Sequence, residues 1–242
     1  MKKLTMLIAC GFLFGISSQI IAQNVQQSID QQIIQLLENN QITSQDANWV
    51  ITDQHVSSAS GIEHVYFRQI HNGIEIYGTE SSVHLYPNGE VLKGNNKFIS
   101  NVNEKATGGS SPSLTALQAV QNAAGYFNYT VSSEISVISS NISSHETILS
   151  DGGISMSNIP AKLVYQMNQN DELVLAWDLS IEEVAQQDWW SVRVDATNGS
   201  IVDQNNFMSS CNFDHDHSAH EVLDYNENLY DIPNYKEAMA KR

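Results

Sequence analysis

The spacing of apolar side chains changes several times along this chain, and each change marks an element. Val25, Ile29, Ile33 and Leu36/Leu37 recur at helical spacing with Gln and Asp between them, which predicts a helix ended by Asn39-Asn40. Over residues 48–99 the period falls to two. In Glu63–Ile70, Val65 and Phe67 fall on one face, and His71-Asn72-Gly73 is a turn signal because Asn-Gly accepts positive φ at little cost. Ile74 and Ile76 resume the alternation, Val83 and Leu85 continue it, Pro87-Asn88-Gly89 turns the chain again, and Val91 to Ile99 reads as a return strand.

Residues 103–112, Asn-Glu-Lys-Ala-Thr-Gly-Gly-Ser-Ser-Pro, read as a loop and a domain boundary. A helix is predicted beyond it, with Ser113 as its N-cap and Leu114, Leu117, Val120, Ala124 and Phe127 as one apolar stripe. Residues 130–159 are Ser-rich with scattered Ile and Val, and read as short strands and a loop. Leu163, Tyr165 and Met167 then alternate, as do Leu173, Leu175, Trp177, Leu179 and Ile181, and later Trp190, Val192 and Val194. Thr197-Asn198-Gly199-Ser200 turns into Ile201-Val202. The expected fold class is α+β: two small units, each an antiparallel sheet with a helix packed on it, of the cystatin-like kind.

Composition narrows the classes of function. The 242 residues suffice for one or two small domains, and 41 % hydrophobic content is ordinary for a globular chain. A formal net charge of −16 argues against a nucleic-acid partner, because neutralising phosphates needs Lys and Arg. Lys2 and Lys3 precede an apolar stretch from Leu4 to Ile16, and Ile20-Ile21-Ala22-Gln23 follows, which predicts a signal peptide over residues 1–22 cut after Ala22. Leu7-Ile8-Ala9-Cys10-Gly11 also resembles a bacterial lipobox, which would lipidate Cys10. That reading leaves only Leu4 to Ala9 as the hydrophobic segment, although the apolar run continues through Phe12, Leu13 and Phe14, so plain export (secreted or periplasmic) is the favoured expectation. No later segment approaches the ~20 apolar residues that a membrane span needs. Cleavage removes two lysines and no acid, which takes the charge from −16 to −18, and leaves Cys211 as the one cysteine, so no disulfide can form within the chain.

The segment His64-Val65-Tyr66-Phe67-Arg68-Gln69-Ile70-His71-Asn72-Gly73-Ile74-Glu75-Ile76-Tyr77-Gly78, followed by Val83-His84-Leu85 and Asn88-Gly89-Glu90-Val91, resembles the propeptide motif of the fungalysin/thermolysin metallopeptidases. Residues 113–205 look like the PepSY-type domain that often follows it, through Pro160–Tyr165, Leu175-Ala176-Trp177 and Val192–Gly199. The implied organisation is residues 23–102 as an N-terminal helix plus propeptide-motif domain, residues 113–205 as a PepSY-like domain, and residues 206–242 as a flexible polar tail or connector. The resemblance implies a pro-region that assists folding of a zinc peptidase domain and blocks its cleft until processed. The partner would be that catalytic domain, in cis or in trans, and the zinc would belong to the partner. A second reading makes this sequence a fragment of a full secreted metalloendopeptidase, and a third a stand-alone exported binding module on the same sheets.

No catalytic, cofactor-binding or metal-binding residue is assigned. A zinc peptidase of this class needs His-Glu-x-x-His, and His145-Glu146 is followed by Thr147, Ile148 and Leu149, without the second His. His64 and His84 are expected to bond across the sheet or to backbone carbonyls. Trp177, Trp189 and Trp190 are expected to be core or interface anchors. Cys211, Asp214, His215, Asp216, His217 and His220 hold ligand types that could take a metal, but read as a solvated polar tail.

Overall fold

A computed structural model describes residues 14–185 and 187–208, with side chains from Asn24 onward. Helix α1 spans Phe14–Glu38 and so begins ahead of the predicted cut after Ala22. It stops as predicted, with Asn40 in the left-handed region at φ 54°. A 3-10 turn, Ser44–Asp46, leads to β1 (Trp49–Val56), β2 (Glu63–His71), β3 (Ile74–Glu75), β4 (Ser81–Leu85) and β5 (Val91–Asn95). The return strand is thus shorter than the predicted 91–99. The sheet is antiparallel in the order β1-β2-β4-β5, with β3 paired to β2.

The inner face of this sheet buries Val65, Phe67, Val83 and Leu85 against Val25, Ile29 and Ile33 of α1, together with Ile42. The helical and alternating patterns thus meet in one core, where each fully buried Val, Leu or Ile contributes roughly 1.5–3 kcal/mol. The end of the Gln32 side chain lies over Gly94 of β5, in the space a Cβ there would take.

The second sheet is a meander of β6 (Val137–Asn141), β7 (Glu146–Leu149), β8 (Ile159–Met167), β9 (Leu173–Glu182), β10 (Trp189–Asp195) and β11 (Ile201–Asn206), antiparallel throughout. Its inner face carries Leu163, Tyr165, Leu175, Trp177, Leu179, Ile181, Val192 and Val194, the alternating residues of the sequence. Helix α3 (Ala116–Tyr126) contributes Ala116, Ala119, Val120, Ala123 and Ala124 to the same core, with Leu117 and Phe127 partly buried beside them. The fold is therefore sheet-rich, two antiparallel sheets with few helices.

Three expectations change. The N-cap of α3 is Thr115, not Ser113: its side chain accepts from the Gln118 N–H and the Gln118 side chain returns to the Thr115 N–H, a capping box. The Ser113 and Leu114 N–H groups both go to the Ala196 carbonyl instead. Ile74 and Ile76 do not extend the first sheet's apolar face either. The Asn72-Gly73 turn, with φ 50° and 80°, sends them into the core of the second sheet, where Ile76 bridges Tyr165 in parallel and the Tyr77 N–H donates to the Tyr165 carbonyl. Within residues 103–112, the first part is built in: α2 (Val102–Lys105) buries Val102, Ala106 bridges Leu173, and the Thr107 N–H donates to the Leu173 carbonyl. Both sheets consequently lie in one compact unit.

Candidate functional site

The segment His64–Gly78 has two faces with different work. On the inner face, Val65, Phe67 and Gln69 are fully buried, and Gln69 is the polar member of that series. Its side-chain N–H groups donate to the carbonyls of Asp46 (2.8 Å) and Ile99 (2.9 Å), its Oε1 accepts from the Ile99 N–H at 3.0 Å, and its backbone N–H donates to Thr79 Oγ1. One buried amide thus satisfies three backbone groups, which a buried site requires. Asp46 completes the cluster. It accepts from the Thr43 N–H and hydroxyl at 2.8 Å, the Val102 N–H at 2.8 Å and the Asn101 N–H at 3.1 Å. Burial alone would raise its carboxyl, but these donors outweigh burial and hold it below the usual carboxylate range.

The outer face carries a row of imidazoles. Strand register sets His55 opposite His64, His64 opposite His84, and His84 opposite Lys93, across β1, β2, β4 and β5. His64 Nδ1 lies 2.9 Å from His84 Nδ1, so an N–H of one ring donates to the nitrogen of the other. The His64 ring meets that of His84 edge-on at 4.8 Å and stacks on His55 at 5.2 Å, and His55 Nδ1 lies 3.1 Å from Asp53 Oδ2. Burial, then His64 and Lys93, lowers the His84 pKa. His71, at the far end of β2, is also lowered, by burial, and sits edge-on to Tyr165 at 5.3 Å.

Beyond β3, charges alternate across the outer face of the second sheet. Register places Glu146, Lys162, Asp178, Arg193 and Asp203 directly opposite one another on β7 to β11. Arg193 is fully buried, donates to Ser191 Oγ (2.6 Å), the Ser191 carbonyl (3.0 Å) and Tyr77 Oη (3.3 Å), pairs with Asp203, and lies 4.4 Å over the Tyr77 ring. Lys162 binds Glu75 at 2.7 Å and Glu146 at 3.2 Å, while Arg68 binds Glu75 at 2.8 Å and Glu80 at 2.7 Å, so Glu75 ties the first sheet to the second. Asp178 is pushed up to about 6: burial raises it more than Arg193, Arg68 and Lys162 lower it. An open cleft of about 450 Å³ lies over this row, lined in part by Tyr77, Ile148, Lys162, Asp178, Ser191 and Phe207.

His64 and His84 thus bond across the sheet, as expected. Trp177 is buried and donates to the Leu114 carbonyl at 2.8 Å, Trp190 stacks on Phe127 at 4.8 Å, and Trp189 is 40 % exposed and donates to Ser180 Oγ. His145 sits in the β6–β7 hairpin at φ 56°, and the sequence's other His-Glu pair, His220-Glu221, is followed by Val222, Leu223 and Asp224, again without a second His. The Cys211/His215/His217/His220 cluster and Cys10 lie outside the described residues. Among the described residues no group of three or more His, Cys, Asp or Glu is arranged to hold a metal ion, and no helix is long and apolar enough to cross a membrane. Sequence reading missed Asp46, His55 and Arg193. A Gln in the Val65-Phe67-Gln69 series was the available signal for the buried cluster.

Residues 47–98 match the Fungalysin/Thermolysin Propeptide Motif. The motif thus covers β1 through the segment after β5, which includes both the Gln69 hub and the imidazole row. Two similar proteins are Extracellular metalloproteinase 1 of Arthroderma gypseum, 28 % identical over 147 residues (60 % of this chain, 23 % of the relative), and Extracellular metalloproteinase mep of Aspergillus fumigatus, 27 % identical over 165 residues (65 % and 25 %). The chain spans about a quarter of the length of these curated relatives. Among solved structures, the Bacillus megaterium YpeB C-terminal domain aligns over 76 % of this chain and 65 % of its own, at 11 % identity and a TM-score of 0.35.

Proposed function

We propose that this chain acts as an exported pro-region of a fungalysin-type zinc metallopeptidase, serving as folding aid and inhibitor of the peptidase domain. The observation that carries this reading is the propeptide-motif match over residues 47–98, supported by relatives that are extracellular metalloproteinases. On this reading the first sheet with α1 is the propeptide-motif domain, and the second sheet with α3 is its PepSY-like, cystatin-like companion. Recognition would use sheet edges and exposed loops: exposed Val50, Ile51 and Val56 on β1, an edge strand of the first sheet, supply apolar contact there, and unpaired edge backbone can add a strand from a partner. The zinc and the general base would belong to the partner. The predicted signal peptide supplies the export.

The test uses a purified fungalysin-type peptidase and the purified chain. Added in trans at micromolar concentration, the chain is expected to slow casein hydrolysis and to raise the yield when the denatured peptidase domain is refolded in its presence. Absence of both effects on every fungalysin-type peptidase of the same organism would overturn the reading and leave a stand-alone exported binding module.

A further inference from the structure

Two neighbouring rungs of the second sheet shape the cleft beside Tyr77. The charged rung runs Glu146, Lys162, Asp178 and Arg193. Two residues along each strand, on the same face, come Ile148, Pro160, Ser180 and Ser191, with Ile148 opposite Pro160 and Ser180 opposite Ser191. None of these is charged, and Pro160, Ser180 and Ser191 are small, so the surface drops beside the charged rung. Tyr77 and Phe207 wall the drop, which holds about 450 Å³. Asp178 borders it unsatisfied. Its Oδ1 is buried without a hydrogen-bond partner among the described residues, and Arg193 Nη1 stands 3.8 Å away, too far to bond. The surrounding cations direct their N–H groups elsewhere: Arg193 to Ser191, Tyr77 and Asp203, Lys162 to Glu75 and Glu146, and Arg68 to Glu75 and Glu80. Among the described residues this network joins five carboxyl groups, Glu75, Glu80, Glu146, Asp178 and Asp203, to three cations. A buried acceptor without a donor, beside an excess of carboxyl groups, suits a cation that brings its own N–H groups.

We propose that this cleft binds an arginine side chain of an extended polypeptide partner, with the guanidinium on the Asp178 carboxyl and the methylenes against Ile148, Pro160 and Phe207. A guanidinium carries five N–H donors and no acceptor, and its fork matches a carboxylate. The cleft is rich in acceptors to match. Tyr77 Oη takes one bond from Arg193 and Ser180 Oγ one from Trp189, and each oxygen keeps a lone pair for the ligand. The Lys162 ammonium at the border is already held by two glutamates. The cleft is open, so chain on either side of the arginine can lie over Ile148 and Phe207, and the charge of −16 favours encounter with a basic partner. Burial raises the Asp178 carboxyl to about 6 against the pull of Arg193, Arg68 and Lys162, with Glu75 adding to the rise, and Glu146 and Asp203 stand further along the same rung. A bound guanidinium draws that carboxyl back down, so binding releases a proton in acid and strengthens as pH rises through 6. The site does not depend on the proposed inhibition.

The experiment titrates the full ¹⁵N-labelled chain with the peptide Ac-Ala-Ala-Arg-Ala-Ala-NH₂ and follows the backbone amide signals. Saturable shifts are expected at Asp178, Ser180 and Ser191, with a Kd on the order of 1 mM, and none in β5. The same peptide with citrulline, which keeps the shape and loses the charge, should bind at least about tenfold more weakly. Propylguanidinium, the bare side chain, should bind several-fold more weakly, because nothing then covers Ile148 and Phe207. Asp178→Asn should weaken the arginine peptide by about tenfold, and Ser180→Leu, which fills the floor and leaves the carboxyl in place, by a similar factor. Wild type should bind about tenfold more weakly at pH 5 than at pH 7, from the fraction of Asp178 that is ionised, and Asp178→Asn should show no such change. Far-UV circular dichroism checks that each variant folds. Equal binding of the citrulline peptide or of propylguanidinium overturns the proposal, as does an affinity that Asp178→Asn and Ser180→Leu both leave unchanged.

Discussion

Replacing Asp46 by Asn tests whether one carboxylate pins the start of the first sheet to α2. The side chain is 1 % exposed and accepts four hydrogen bonds, three at Oδ2 and one at Oδ1. An Asn that keeps its oxygen at the three-donor side turns its NH₂ toward the Val102 N–H. Two donors then face each other, and a buried N–H is left without an acceptor. Leaving a buried donor unsatisfied costs about 1–3 kcal/mol, and the remaining bonds lose their charge assistance, each worth about 1.5–3 kcal/mol when intact. A loss of about 3 kcal/mol is expected at pH 7. For a folded unit of this size that is a fall in Tm of about 6–12 °C. The pH dependence carries the sign. Because the folded pKa lies below the ordinary value, the stabilisation is fully present above the unfolded-state pKa of about 3.9 and is lost as pH falls toward the folded pKa. Urea unfolding of wild type and Asp46→Asn at pH 7, 5, 4 and 3 should show a gap that is constant down to about pH 4 and then narrows. A gap below 0.5 kcal/mol at pH 7, or one that does not change with pH, would refute the assignment.

Asp178 carries the opposite sign. Its folded pKa of about 6 lies above the unfolded value, so wild type should gain stability as pH falls from about 6 to 4, and Asp178→Asn should lack that gain in parallel urea titrations. At the start of α3, Thr115→Ala should cost about 1 kcal/mol by loss of the cap, whereas Ser113→Ala should be nearly neutral; equal costs in thermal melts would return the cap to Ser113.

The sequence by itself determined the two long helices, the main strands and most of their buried faces. Val25, Ile29 and Ile33 lie on one side of α1 because they repeat at the helical period, and Leu173 to Ile181 line the inside of β9 because they alternate at the strand period. The propeptide resemblance was also readable, since His64 to Gly78 is a contiguous run containing its own turn residues. Only the tertiary structure decided where Ile74 and Ile76 go. Their alternation is identical whether they cover the first core or the second, and the choice comes from a tight turn followed by a bridge to Tyr165, far along the chain. The same holds for Gln69 bonding Ile99, for the His55–His64–His84 row and for the five alternating charges from Glu146 to Asp203. The first brings β2 against the segment that follows β5, and the other two depend on strand register, which pairs residues distant in sequence and moves every side chain to the opposite face on a slip of one residue.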